Sequence, residues 1–323
     1  MELRKIIVVT PVKNEAWILE AFLRVTSAFA DAIIIADQQS EDNTIQIVNA
    51  FPKAILLENP SQAYNNATRQ KFLLEEARIR FPGNPVILAL DADEIAAADS
   101  QNPVYWNHLR SLSPGTLLYF RKTDLVQNGQ QSFDIPDTYY PLGFIDDGVL
   151  QHSGKPMHSV RIPLGLTGQL RVDVQDIHFL HLQRLRPKTQ EAKRRFYQVK
   201  ERDFGMNPWY WRRKRYNKKN FLGLNIPLKA TPAAWLAYPA GWEVDISSLR
   251  EADVNWFDEE VYTTLQKIGG YRYWIDDIWD IDWNTFQEGG KHIALQPRWL
   301  KKVLMFSDYI FNILYILKQK FGQ

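Results

Sequence analysis

Four short aliphatic runs punctuate the first third of the chain. They are Ile6-Ile7-Val8-Val9-Thr10, Ala32-Ile33-Ile34-Ile35-Ala36, Ala54-Ile55-Leu56-Leu57 and Val86-Ile87-Leu88-Ala89-Leu90. An uninterrupted aliphatic run of this length reads as a strand buried on both faces. Helical spacing fills the gaps. Glu15 to Phe29 carries Trp17, Ile18, Phe22, Val25 and Phe29. Asn43 to Phe51 follows Asp42, a good N-cap, and Gln62 to Phe81 holds Phe72, Leu73, Leu74 and Ile79. Strands alternating with helices predict an α/β fold, a mostly parallel sheet with helices on both faces. Crossovers in such sheets are right-handed, and ligands bind beyond the carboxyl ends of the strands. Glu15, Asp37 and Asp91 all fall just past predicted strand ends, so one crevice can hold them.

The fourth run ends in Asp91-Ala92-Asp93-Glu94. In extended backbone, residues i and i+2 point the same way. Asp91 and Asp93 are therefore expected side by side, an arrangement of like charges that calls for a cation between them. A hard divalent ion, Mg²⁺ or Mn²⁺, suits one or two carboxylates completed by substrate phosphates. The plainer alternative is a solvated acidic turn. The first glycine of the chain is Gly83, so the early β-α units hold neither G-x-G-x-x-G nor a P-loop. Both motifs need glycine for close approach of backbone to phosphate. Any phosphate here must be held by metal and by cationic side chains such as Arg69.

Four motifs in order carry a resemblance: Thr10-Pro11-Val12-Lys13-Asn14-Glu15, then Asp37-Gln38-Gln39-Ser40-Glu41-Asp42-Asn43-Thr44, Asn66-Ala67-Thr68-Arg69-Gln70, and Leu90-Asp91-Ala92-Asp93-Glu94. With them the chain resembles the family 2 glycosyltransferases of the GT-A fold over about residues 5 to 200, and is most similar to the small bacterial branch that builds lipopolysaccharide cores and surface polysaccharides. The resemblance implies an inverting, metal-dependent transferase. Its donor is a UDP-, GDP- or dTDP-sugar, and its acceptor a saccharide or a lipid-linked saccharide. It implies that Asp37 accepts hydrogen bonds from base or ribose, that Pro11 and Glu15 line the base pocket, and that Arg69 faces the diphosphate. Asp91 approaches ribose and metal, and Asp93 holds the metal. Carboxylates accept from base N–H and sugar O–H groups, and arginine matches phosphate. Glu15 equally suits the first turn of a helix, where the macrodipole favours an acid. Arg69 equally suits a solvated helix face. Asp37-Gln38-Gln39-Ser40 lacks the glycine of the family's usual turn.

An inverting transfer needs a base opposite the leaving group. The candidates are Asp147 and Asp146 in Gly143-Phe144-Ile145-Asp146-Asp147-Gly148, with Asp137 and Asp134 as rivals and an acidic turn as the alternative. Four of six histidines lie between His152 and His181. His158 resembles a family histidine near the acceptor site. His181 resembles one that follows the last core strand, as a third metal ligand or a diphosphate contact. His178 and His181 point to opposite faces of an extended segment. Without cysteine or H-E-x-x-H, a zinc site is not expected.

Charge refines the second half. From Arg184 to Lys219 the chain has fourteen Lys/Arg and three acids, a local +11; the overall +2 then leaves −9 elsewhere. Interleaved with Trp209, Tyr210 and Trp211, these cations suit an anionic membrane surface or a phosphorylated acceptor, or a solvated helix face. Nucleic acid is not expected, for want of a recognised motif. Trp299 to Phe321 puts Lys301, Asp308, Asn312 and Gln319 along one line of a helix, with mostly apolar residues elsewhere. It suits the membrane interface, or packing against the chain or a second copy. Seven of eleven tryptophans follow residue 230. At 323 residues the expected division is a nucleotide-sugar half over 1–98, an acceptor half with the basic patch over 99–225, and a Trp-rich helical extension over 226–323. Zero cysteine excludes a disulfide scaffold. The apolar run after Lys5 is too short for a signal peptide. The expected location is cytoplasmic, peripheral on the inner membrane face. Two other classes fit the sheet: a non-catalytic sugar-binding scaffold, and a nucleotidyltransferase, which usually carries the glycine-rich first loop missing here.

Overall fold

The structure is a computed structural model and describes residues 3–59, 64–135, 137–164, 169–218, 226–246, 249 and 255–321, with no account of the side chains at 240 and 311–321. Two compact units form. The first is Met1–Leu185 with Pro227–Arg250, and the second is Arg186–Ile226 with Glu251–Gln323. These limits differ from the expected boundaries at 98 and 225, because residues 227–250 return to the first unit and pair there with its sheet.

In the first unit the predicted alternation holds. The strands are β1 (Ile6–Val12), β2 (Ala32–Asp37), β3 (Ala54–Glu58) and β4 (Val86–Ala89), joined by α1 (Ala16–Ser27), α2 (Thr44–Asn49) and α3 (Asn66–Arg80). They run parallel in the order β3-β2-β1-β4, with Val8 level with both Ile33 and Leu88. Both faces are covered, which is why the strands are aliphatic throughout. Ile6, Val8 and Val12 pack in one layer with Leu19, Phe22 and Leu23 of α1. Ile7 and Val9 pack in the other with Leu73, Leu74 and Ala77 of α3. The helices are shorter than their apolar patterns. Asn65 caps α3 by accepting from Thr68 N at 3.1 Å, so this helix starts at Asn66; Gln62, its expected start, lies outside the described residues.

Beyond β4 the sheet becomes mixed. The remaining elements of this unit are β5 (Glu94–Ala96), α4 (Pro103–Ser111), β6 (Leu117–Val126), β7 (Gln131–Phe133), β8 (Tyr140–Ile145), β9 (Arg171–His181) and β10 (Lys229–Ala230), then the small β11 (Ala237–Tyr238) and β12 (Trp242–Glu243) pair. Strand β8 lies antiparallel to β4 and to β6, so β6 runs the same way as β4. Strand β9 is parallel to β6 and antiparallel to β5. The carboxyl ends of β6 and β9 therefore open on the same side as those of the parallel strands.

The second unit is held by charge as much as by apolar packing. It contains α5 (Pro187–Asp203), α6 (Trp209–Arg215), α7 (Trp256–Ile268) and α8 (Arg298–Phe321). Arg194 bonds Asp277 and Asp280, and Arg195 grips Asp258 through two bonds of 2.7 and 2.8 Å. Arg202 and Arg212 meet on Asp276, which has no solvent exposure. Arg213 is bidentate to Asp308 of α8. The expected basic patch is thus largely an internal network, its cations neutralised by acids up to about a hundred residues later in the chain. Three tryptophans of this unit close their indole N–H groups on backbone: Trp274 on Ala294, Trp279 on Tyr273, Trp283 on Ile278. The polar line of α8 turns inward through Asp308, while Trp299, Val303, Phe306 and Ile310 are exposed. Asn312 and Gln319, expected on that line, have side chains outside the description. Among the described residues no helix is long and apolar enough to cross a membrane.

Removing one partner from a buried ion pair leaves a charge uncompensated, at about 3–5 kcal/mol. Asp276→Ala strands Arg202 and Arg212 together and is expected to cost that much, measured by urea unfolding of the full chain. A loss below about 1 kcal/mol contradicts the network's structural role.

Candidate functional site

The loops following β1 and β2 are stitched to one another. Asn14 N donates to Ser40 Oγ (2.8 Å), Glu15 N to Thr44 Oγ1 (2.9 Å), Ala16 N to Asp42 Oδ2 (3.0 Å) and Glu41 N to Asn14 Oδ1 (2.8 Å). Ser40, Asp42, Thr44 and Asn14 are therefore loop builders, which explains their presence in the two motifs. Asn14 and Gln39 both adopt φ of 55°. Gln39 occupies the position of the missing glycine and takes the left-handed conformation that glycine would adopt freely. An L-residue pays about 1–2 kcal/mol there, and the surrounding stitches hold it in place.

This frame presents Asp37 at the end of β2. The residue is 5% exposed; Oδ2 accepts from Ser40 N at 3.1 Å, and Oδ1 has no partner among the described residues. Pro11 lies level with Ala36 on the neighbouring strand. Glu15 precedes the first turn of α1 and accepts from Trp17 Nε1 at 2.7 Å. Arg69, in the first turn of α3, is held by Gln38 Oε1 (3.0 Å) and Asn66 Oδ1 (2.7 Å) and lies over the Tyr64 ring. The link from Arg69 to Gln38 brings the second and third motifs together.

The acidic motif differs from the extended geometry expected of it. Strand β4 stops at Ala89, and Glu94 N returns to Asp91 O at 3.0 Å to close a turn. The two aspartates therefore diverge. Asp91 is 41% exposed at its side chain and ion-paired with Arg161, whereas Asp93 is 13% exposed and faces His181. Between them Glu94 is sealed from water and held by Lys122 (3.0 Å) and Arg161. Burial opposes its charge, but Arg161, Lys122 and His181 outweigh that and hold its pKa well below the ordinary carboxylate range. Lys122 is likewise disfavoured by burial and raised on balance by Glu94.

His181 lies level with Glu94 on one side and Asp124 on the other. Its Nδ1 contacts Asp124 Oδ1 at 2.8 Å, with Gln183 Nε2 more distant at 3.4 Å, and its Nε2 lies 3.8 Å from Asp93 Oδ2. Arg184 also donates to Asp124, at 3.1 Å. Burial penalises the Asp124 carboxylate, yet His181 and Arg184 keep its pKa below the usual range. The 3.8 Å gap exceeds a hydrogen bond, and falls within the roughly 3–4.2 Å between two atoms each about 2.1 Å from a shared ion. Among the described residues no three His, Asp or Glu side chains gather closely enough to hold a metal by themselves. One carboxylate oxygen and one imidazole nitrogen, completed by substrate oxygens, fit a divalent cation. Carboxylates Asp91, Asp93, Glu94 and Asp124 outnumber the fixed cations Lys122, Arg161 and Arg184 by one. A diphosphate therefore needs an added cation to settle here.

The expected base candidates stand elsewhere. Asp146 and Asp147 lie at the opposite edge of the sheet. Because β8 is antiparallel to β4, Ile145 pairs with Val86 and Asp146 N donates to Pro85 O, at the start of β4 rather than its end. Strand β4 alone puts about 10 Å between the two edges. Asp146 is a buried, bidentate partner of Arg78, and Asp147 Oδ1 accepts from Val149 N and Leu150 N to form a turn. Neither stands at the crevice. Asp134, a rival, is engaged by Arg121 and Lys229. His158 is exposed on the loop that delivers Arg161; that loop is anchored by buried Met157 and Ile162 and by Asn66 N donating to Pro156 O. His178 turns to Ser100 and Trp235, away from His181 as the alternation predicts.

Sequence reasoning missed Glu94 as the anchor, together with Lys122, Asp124 and Arg161. Lys122 and Asp124 had a weak signal, two charges at i and i+2 within an apolar strand. Arg161 had none.

No family model matches the chain, and no curated protein does. Several solved structures are similar at low identity. A mannosyltransferase from Pyrobaculum calidifontis in complex with GDP-Man and Mn²⁺ is 13% identical over 83% of this chain and 77% of that one, with a TM-score of 0.40. GalNAc-T7 with UDP, GalNAc and Mn²⁺ is 13% identical over 56% of this chain and 44% of that one, also at 0.40. A 4-diphosphocytidyl-2C-methyl-D-erythritol synthase is 15% identical over 44% and 74%, at 0.33. At these values the likenesses bear on neither substrate nor mechanism.

Glu94→Gln leaves Lys122 and Arg161 facing a neutral amide, and is expected to cost about 3–5 kcal/mol at pH 7. Because the folded pKa of Glu94 is depressed, its stabilisation is complete above the ordinary value of about 4.3 and is lost as pH falls through the depressed value. The stability gap between wild type and variant should narrow on acidification below pH ~4, measured by urea titration. A gap that widens there contradicts the assignment.

Proposed function

We propose that this chain is a glycosyltransferase that takes its sugar from a nucleoside-diphosphate donor with the help of a divalent cation. The observation that carries the reading is Asp37 Oδ1, a buried, unpartnered acceptor. It stands on the strand two places from β4, whose carboxyl end leads into the Asp91–Asp93 turn. Asp37 accepts from a base or ribose donor, Pro11 and Glu15 flank it, and Arg69 lies across toward the diphosphate. Asp93 and His181 would hold the metal. The bound cation supplies Lewis-acid stabilisation of charge on the leaving diphosphate. Arg161 and Lys122 keep the acidic turn in shape by neutralising Glu94. Inversion, and a place in surface polysaccharide assembly, rest on the family resemblance of the motifs alone. The exposed stripe Trp299, Val303, Phe306 and Ile310 beside Arg298, Lys301 and Lys302 supports contact with a membrane surface, on the pattern of interfacial helices. A binding role without turnover is the second reading; what favours it is the position of Asp146 and Asp147 away from the crevice.

The test is thermal unfolding of wild type, Asp93→Ala and Asp37→Ala with UDP, GDP, CDP, dTDP and their sugars, with and without Mn²⁺. Ligand at a hundred times its Kd adds about 2.7 kcal/mol, several degrees of shift. One nucleotide should stabilise wild type in a metal-dependent way, and each variant should lose that shift. No shift with any nucleotide overturns the donor site. A shift without release of nucleoside diphosphate from any sugar donor in the presence of saccharide acceptors favours the binding role.

A further inference from the structure

The acidic turn leaves open which cation it selects, and β6 and β9 bear on that choice. His181 is only 8% exposed, and its ring lies between two carboxylates, Asp124 on β6 and Asp93 in the acidic turn. Asp124 meets Nδ1 at hydrogen-bond distance; a carboxylate only accepts, so Nδ1 carries a proton, and Nε2, 3.8 Å from Asp93, is the nitrogen a metal would take. A histidine whose far nitrogen donates to a carboxylate is fixed in tautomer and ring orientation, and is more basic toward a metal. Mn²⁺ shares the preference of Mg²⁺ for oxygen, but as a first-row transition ion it accepts an imidazole nitrogen more readily than Mg²⁺, which keeps its waters. Resting on the donor-site reading above, we propose that Asp124 is a positioning residue that holds His181 as a nitrogen ligand, and that this pair makes the site select Mn²⁺ over Mg²⁺.

The alternative role for Asp124 is purely structural, as an anchor for Arg184 at the end of β9. The two roles separate experimentally. Loss of a structural anchor lowers stability without changing the ratio of metal affinities. Loss of a positioning carboxylate lowers Mn²⁺ affinity selectively, typically 10–100-fold.

The experiment is Mn²⁺ binding to the full chain, followed by electron paramagnetic resonance, alone and with UDP or GDP, and with Mg²⁺ as competitor. Wild type should show electron spin-echo modulation from a directly coordinated ¹⁴N, and His181→Ala should abolish it. Asp124→Asn should raise the Mn²⁺ Kd about 10–100-fold while changing the apparent Mg²⁺ Kd much less. Arg184→Gln, which removes the other partner of Asp124, should leave Mn²⁺ affinity nearly unchanged. Should Asp124→Asn not fold, Asp124→Glu keeps the charge, misplaces it, and must also weaken Mn²⁺ selectively. Tight Mn²⁺ binding without ¹⁴N modulation overturns the inference and leaves the donor site standing. So does an Asp124 variant that binds Mn²⁺ as wild type does, or that loses both metals in proportion. Absence of saturable Mn²⁺ binding by wild type, with every nucleotide, overturns the donor site itself.

Discussion

A carboxylate sealed from water has to be met by cations, and Glu94 imposes that requirement on three separate parts of the first unit. It begins β5, directly after the acidic turn. Lys122 comes to it from β6, and Arg161 from the loop anchored beside the start of α3. Arg161 in turn pairs with Asp91. One buried charge thereby fixes the turn that carries Asp91 and Asp93, the end of β6 that carries Asp124, and the path of residues 151–162. The desolvation cost of such a group is several kcal/mol, and only simultaneous pairing offsets it. That is why the divergence of the two aspartates is a property of the fold rather than of their own spacing.

The nucleotide side of the crevice is built on a different principle. There the determinants are short side chains bonded to backbone: Asn14, Ser40, Asp42 and Thr44 join the two loops after β1 and β2. The cost of a left-handed Gln39 is borne by this lattice. Asp37 is placed at its base with one oxygen used and one left to accept. Site precision at the carboxyl ends of parallel strands thus arises from loops made rigid by local polar bonds, with the sheet supplying the platform.

In the second unit, a net count of charge proved a poor guide to surface. Fourteen cations between Arg184 and Lys219 suggest an exposed basic patch. Most of the arginines are instead paired with aspartates of 258–308, which is also the reason for the acids around Trp279. Salt bridges join residues distant in sequence, and composition within a window cannot register a partner outside it.

What the sequence determined by itself was whatever depends on neighbours along the chain. The aliphatic runs and intervening helical spacing specify β1 to β4 and α1 to α3, since burial on two faces demands continuous apolar strands. The positions of Asp37 at the end of one strand, and of Asp91 and Asp93 just past another, follow from the same pattern. The tertiary structure alone decided which distant groups meet. It put Asp146 and Asp147 at the wrong edge for the crevice, because β8 runs antiparallel to β4 and a strand's direction is invisible in its own residues. It set His181 between Glu94 and Asp124, because β9 enters between β5 and β6. It delivered Arg161 to Glu94, and with it to Asp91, from about seventy residues away, because the buried charge of Glu94 required a cation and only the folded chain could bring one there.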